Sequence, residues 1–157
     1  MNKNALAQAI SGQFRRALKM FREAVQAFPA EEWRVGDSHY VRPAGLAYHT
    51  LETIDFYTSD QPAAQFPWGT RFGVDWEDQR SELLPPQEDL ITYLDEIEGK
   101  LAHWFKTTDL TAPEQSYPWT GVSKLERTVY MLRHTHHHLA EMCLELSRRG
   151  YSAPEWH

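Results

Sequence analysis

Apolar residues return at steps of three and four along four separate stretches of the chain, the period of helices with one buried face. In the first stretch Leu6, Ile10, Phe14, Ala17, Leu18, Phe21, Val25 and Phe28 form the stripe, and Pro29 ends it. The second runs from about Pro43 to Thr58, with Pro43 suited to a first helical position and Leu46, Ala47, Leu51, Ile54 and Tyr57 turned inward. The third starts near Pro86, carries Glu88 and Asp89 in its first turn, and presents Leu90, Leu94, Ile97, Leu101, Trp104 and Phe105. The fourth opens on a capping box, Ser123 to Glu126, and its stripe passes through Leu125, Val129, Leu132, Leu139, Cys143 and Leu146. Arg148 and Arg149 suit a helix C-terminus, and Gly150 suits the residue after it. No stretch alternates as a strand would. The pattern predicts an all-α fold, a four-helix bundle with long inter-helix loops, in a single domain spanning residues 1–157. The connection from about Ser59 to Pro85 is long and rich in Pro, Gly and aromatic residues; a loop of this length is often functional or crosses the bundle. Trp68 and Trp76 within it are expected over a bundle end.

Composition narrows the function. Sixteen Lys and Arg against 22 Asp and Glu give a formal charge of −6, which argues against nucleic acid as the main partner. No apolar run reaches the length of a membrane span, and the opening MNKNALAQAI lacks the apolar core of a signal peptide. The one cysteine, Cys143, lies on an apolar stripe and reads as a small buried hydrophobe, with no internal disulfide available to it. A cytoplasmic protein with a small-molecule substrate, and neither nucleic acid nor membrane as partner, is expected.

The candidate chemistry lies in the fourth helix, where His134, His136, His137 and His138 place four histidines in five residues. Residues four apart share a helix face, so His134 and His138 point the same way and can grip one divalent metal ion. His136 points elsewhere, on the apolar stripe. His49 on the second helix is the candidate third ligand. On this register His134 and His138 flank the stripe of Leu132, Leu139 and Cys143, and His49 sits beside its own stripe near Thr53 and Phe56. Such an offset suits either exposed residues or residues lining a groove between helices. Neutral imidazoles suit zinc, nickel, iron or copper. Glu141, one turn beyond His138, is the candidate catalytic residue, orienting a histidine or moving a proton. His137 reads as structural or as support for a ligand, His103 as exposed, and His39 as a loop residue near the second helix. Tyr40, Trp68 and Trp76 are candidates for a pocket wall or for packing.

The run His134-Thr-His-His-His138-Leu-Ala-Glu141-Met, continuing to Ser147-Arg-Arg-Gly150, resembles the last helix of the DinB/YfiT-like metalloenzymes. The pair of histidines four apart carries the likeness. Ala140 stands where that family usually has glycine, and Glu141 occupies its Gln/Glu position. Ala44 through His49 to Tyr57 is similar to the family's second helix, and the resemblance runs over nearly the whole chain except residues 59–85. It implies a four-helix bundle in which His49, His134 and His138 hold a divalent ion, zinc or nickel, and which frequently forms a homodimer. It also implies an enzyme of thiol S-transferase or hydrolase type, some relatives using a low-molecular-weight thiol such as bacillithiol or mycothiol and another being an isomerase. The competing expectation is a non-enzymatic bundle that binds a ligand or partner, its metal site structural or vestigial. A ferritin-like di-metal oxidase fits less well. Such bundles use Glu-x-x-His, whereas this chain has the reverse, His49-x-x-Glu52 and His138-x-x-Glu141.

Overall fold

The structure, a computed structural model, describes residues 3–59 and 61–157. Four long helices carry the fold: α1 (Lys3–Ala27), α2 (Pro43–Thr58), α3 (Gln87–Thr107) and α4 (Lys124–Arg148). Among the described residues there is no strand, only an isolated bridge between Pro113 and Ser123. The helices form a four-helix bundle in which α1 packs on α3 and α4, and α2 packs on the same two. Helices consecutive in sequence, α1 with α2 and α3 with α4, therefore face each other across the diagonal. No described helix is long and apolar enough to cross a membrane.

The core is built from the stripes. Phe14, Leu18, Phe21 and Val25 of α1 meet Leu90, Leu94 and Ile97 of α3, Leu46, Leu51 and Ile54 of α2, and Met131, Leu139, Met142 and Leu146 of α4. Each such side chain contributes about 1.5–3 kcal/mol on burial. The capping box at the start of α4 is formed: Ser123 Oγ accepts from Glu126 N at 3.3 Å, and Glu126 Oε2 accepts from Ser123 N at 2.9 Å.

Two helix faces differ from the sequence expectation. On α4 the inward face runs through Thr128, Met131, Thr135, His138, Leu139, Met142 and Leu146, while Leu132 and Cys143 are only half-buried and Val129 is exposed. The cause is the two threonines. Thr128 and Thr135 return their hydroxyls to the carbonyls of Lys124 (2.7 Å) and Met131 (2.9 Å), so polar residues sit in the core at little cost. This register turns His138 inward instead of leaving it on a flank. On α2 there is no single stripe: all residues from Pro43 to Tyr57 are buried except His49 and Asp55. A helix buried on every side needs cover on every side. Here α3, α4, the turn His39–Val41 and the 61–86 segment provide it.

That connection is tied to α2 at three points. Buried Glu52 accepts from Tyr48 Oη (3.1 Å) and from Gly69 N (2.6 Å). Buried Arg42 donates to the carbonyls of Asp78 (2.8 Å) and Gly36 (3.2 Å). The backbone also comes so close at Gly45 that a Cβ there would lie 3.0 Å from the Trp76 carbonyl oxygen. Trp68 packs on Phe56 and Phe66 toward the end of α2, as expected. Trp76 does not join it there; it reaches the middle of α2, against His49.

At the other end, Gly150 ends α4 with a φ of 84°, open to glycine without strain. Beside it Arg149 ties α4 to the α1–α2 connection. It donates to the carbonyls of Glu32 (3.0 Å), Val35 (2.9 Å) and Val41 (2.8 Å) and to the Glu32 carboxylate (2.9 Å). Arg149→Ala is expected to lower stability by about 2–4 kcal/mol, because it strands partly buried acceptors of a charged donor. Urea denaturation measures this, and an unchanged midpoint would show that water replaces the guanidinium freely.

Candidate metal centre

Three imidazoles meet between α2 and α4. His49 comes from the middle of α2, a half-buried position among buried neighbours. His134 and His138 come from successive turns of α4. Their Nε2 atoms converge: His49 to His134 at 3.2 Å, and His138 to His134 at 3.1 Å. The ring planes stand at steep angles to one another, 64° for His49 with His134, 84° for His49 with His138 and 71° for His134 with His138. The rings meet edge to face instead of stacking, and their ligand nitrogens lie within 4.8 Å of one another. The three histidines form a group that can hold a metal ion.

The donor set suits a cation for a reason that proton counting makes plain. A neutral imidazole has one N–H and one lone pair. His138 Nδ1 lies 2.7 Å from Glu141 Oε2 and donates to it, which leaves His138 Nε2 as a bare lone pair. A hydrogen bond from His134 Nε2 to His138 then occupies the only in-plane site of His134 Nε2, which can no longer accept from His49. Neutral rings cannot make both contacts as two separate linear hydrogen bonds; at best they share one N–H between two lone pairs. One cation facing three lone pairs accounts for both contacts. Bond lengths of about 2.0–2.1 Å at angles of about 90–110° put ligand nitrogens about 2.9–3.4 Å apart, and both contacts fall in that range.

Electrostatics keeps the rings neutral. Burial, followed by repulsion from His138 and His134, lowers the pKa of His49 to about 3. Burial, with His138 and His137, lowers that of His134 to about 4. Burial also lowers that of His138, though the Glu141 carboxylate opposes it. The lone pairs therefore remain available well below neutral pH.

Around the triad, Glu141 is half-buried and bridges inward to His138 and outward to exposed His137, whose Nε2 lies 3.4 Å from Glu141 Oε1. It is not a fully solvated surface carboxylate. His137, His138 and Glu141 also lie close enough to form a second potential metal group, one that shares His138 with the triad. The indole of Trp76 stacks on His49 with centroids 4.0 Å apart and planes at 25°. His39 and Tyr40 flank that indole at 4.8 Å and 6.1 Å.

His136 does not enter the site. It is half-buried beside Trp156 of the C-terminal segment, a residue at the edge of the core, as its place on the stripe led one to expect. His103 is exposed, as its position opposite the α3 stripe implied. Cys143 is half-buried, and burial pushes its thiol pKa up, which suits packing more than nucleophilic attack. Sequence reasoning noted Glu52 only for its spacing from His49 and missed its role as the buried carboxylate that anchors the connection over the site. Its signal was an acidic residue four positions after Tyr48, one turn along the same helix face.

Fold and site together define a helical bundle with a three-histidine group between two of its helices. Comparison with protein-family models returns no match, and comparison with curated proteins returns none at a significant level.

Proposed function

We propose that this protein is a metal-dependent enzyme of the DinB/YfiT-like kind, a thiol S-transferase or hydrolase acting on a small molecule. His49, His134 and His138 hold one divalent ion, zinc or nickel, and the protein works in the cytoplasm as a homodimer. The observation that carries this reading is the meeting of three Nε2 atoms from two helices with more lone pairs than their own protons can satisfy. A bound ion of this kind supplies positive charge that brings the pKa of a water or a low-molecular-weight thiol toward neutrality.

The chain's own residues perform the supporting work. Glu141 fixes the tautomer of His138 by accepting from Nδ1, and so holds its Nε2 toward the centre. The same carboxylate reaches solvent-exposed His137, giving a proton a route between the surface and the buried ring. Three protein ligands leave room for a water or substrate atom, the arrangement typical of catalytic rather than structural zinc.

The test is metal reconstitution followed by assay on a panel of thiol acceptors and hydrolysable esters and amides. Glu141→Gln is expected to lower metal affinity or kcat/KM by about 10–100-fold while the helical content stays unchanged. Full activity in that variant would remove Glu141 from the mechanism. A loaded protein inactive across the panel would favour a second reading, a bundle that binds a ligand or partner without chemistry. One feature supports that alternative: a polar cavity of about 860 Å³, lined by residues including Lys100, His103, Lys124 and Arg127, excludes the triad.

A further inference from the structure

Histidines that hold metals almost always pass their second ring nitrogen to an acceptor, which fixes both tautomer and ring angle. The triad here is uneven in this respect. His138 has Glu141 on its Nδ1 at 2.7 Å. His49 has nothing comparable: its Nδ1 is buried and finds no hydrogen-bond partner. The ring is nonetheless held, by a different kind of contact. Trp76 lies nearly parallel over its face at 4.0 Å, with an interplanar angle of 25°.

The indole is itself fixed from several directions. His39 meets it edge-on at 4.8 Å and 84°, and Tyr40 at 6.1 Å and 75°. The backbone that carries it is pressed against Gly45, where any larger residue would meet the Trp76 carbonyl oxygen. The two flanking ties, Glu52 to Gly69 N and Arg42 to the Asp78 carbonyl, hold the connection on either side of it. A side chain anchored in this way restricts rotation of the imidazole beneath it.

We propose that Trp76 is the positioning residue for His49, a stacked plate that does for this ligand what Glu141 does for His138. The inference rests on the reading of the triad as a metal centre. The contact also favours the loaded state over the empty one. An imidazole that has given its lone pair to a cation is electron-poor, and the indole face attracts positive charge more strongly than any other aromatic side chain. By linkage, binding of an ion at the triad and docking of residues 69–78 onto α2 strengthen each other. The long segment that resembled nothing nameable in sequence thus acquires a role: it delivers one ring to the metal centre.

The experiment compares wild type with Trp76→Phe, which keeps an aromatic face over His49, and Trp76→Leu, which keeps an apolar side chain without one. Zinc affinity is read by competition with a chromophoric chelator, folding by circular dichroism, and proximity by quenching of tryptophan fluorescence on adding nickel(II). Trp76→Phe is expected to keep affinity within about threefold of wild type, and Trp76→Leu to lose about tenfold. Nickel quenching is expected to fall sharply in Trp76→Phe although five of the six tryptophans remain. Equal affinity for Phe and Leu would reduce Trp76 to packing and overturn the proposal. So would undiminished quenching in the Phe variant, which would place the indole away from the ion. If wild type takes up neither metal, the metal-centre reading falls and this inference with it. If wild type binds and the variants match it, the inference alone falls.

Discussion

His134→Ala is expected to lose on the order of a hundredfold or more in zinc affinity while the bundle stays folded. Among the three rings His134 is the one whose Nε2 meets both others, at 3.2 Å from His49 and 3.1 Å from His138. Its removal leaves two nitrogens and no centre for them to share. The same substitution relieves crowding in the metal-free protein, since His134 is half-buried and its Nδ1 has no hydrogen-bond partner. Thermal stability without metal should therefore hold or rise slightly, which separates lost ligation from lost folding. Chelator competition and a melting curve on the same samples decide the matter. Equal metal occupancy in wild type and variant would end the triad as a metal site.

The second large effect concerns acid. His49 and His134 titrate at about 3 and about 4 in the folded protein, and His138 is also lowered, against an ordinary value near 6.5. Between those limits the unfolded chain binds more protons than the folded one, so stability rises with pH. The contribution is complete above about pH 6.5 and is lost as pH falls toward 4. For metal-free wild type the urea midpoint is expected to drop steadily from about pH 7 to about pH 4. In His49→Ala part of that slope should vanish, because the most strongly depressed ring is gone. Metal acts in the opposite sense: free zinc at a thousand times its dissociation constant adds about 4 kcal/mol at neutral pH, and protons competing for the same nitrogens erase that gain in acid. Parallel slopes for wild type and His49→Ala would show that the triad rings are not held neutral by burial.

Much of the bundle was legible because its signals are local. Pro43 at the head of α2, the Ser123–Glu126 box at the head of α4 and Gly150 beyond its end mark boundaries through backbone chemistry that needs no tertiary partner. Facing was less legible. Thr128 and Thr135 count as polar in any hydropathy pattern, yet each satisfies its hydroxyl on its own helix and enters the core. That shift rotated the inward face of α4 and brought His138 to 6% exposure, against a sequence reading that kept it on a flank. The i, i+4 spacing of His134 and His138 survived the error, because spacing fixes which residues share a face even when the face is misassigned. The convergence of His49 is a tertiary fact with no local trace: its place on a second helix made it a candidate third ligand, and the resemblance strengthened that reading, but no spacing rule brought it to His134 and His138. Trp76 was legible as an aromatic residue in a long loop but not as a ring on His49, since no rule of spacing connects position 76 to position 49.

The diagonal placement of α1 and α2 has a kinetic consequence. His49 and His134 stand 85 positions apart, and the whole of α3 lies between α2 and α4 along the chain although the two helices pack directly on each other. Closing so long a loop costs entropy that must be repaid by apolar contacts before any ion finds three nitrogens together. On this ground a cation is expected to join a bundle already assembled, which refolding rates measured with and without zinc would check: faster folding with zinc would refute it. An ion that joins after the rate-limiting barrier slows the return journey without hastening the outward one, and so lengthens the lifetime of the native state.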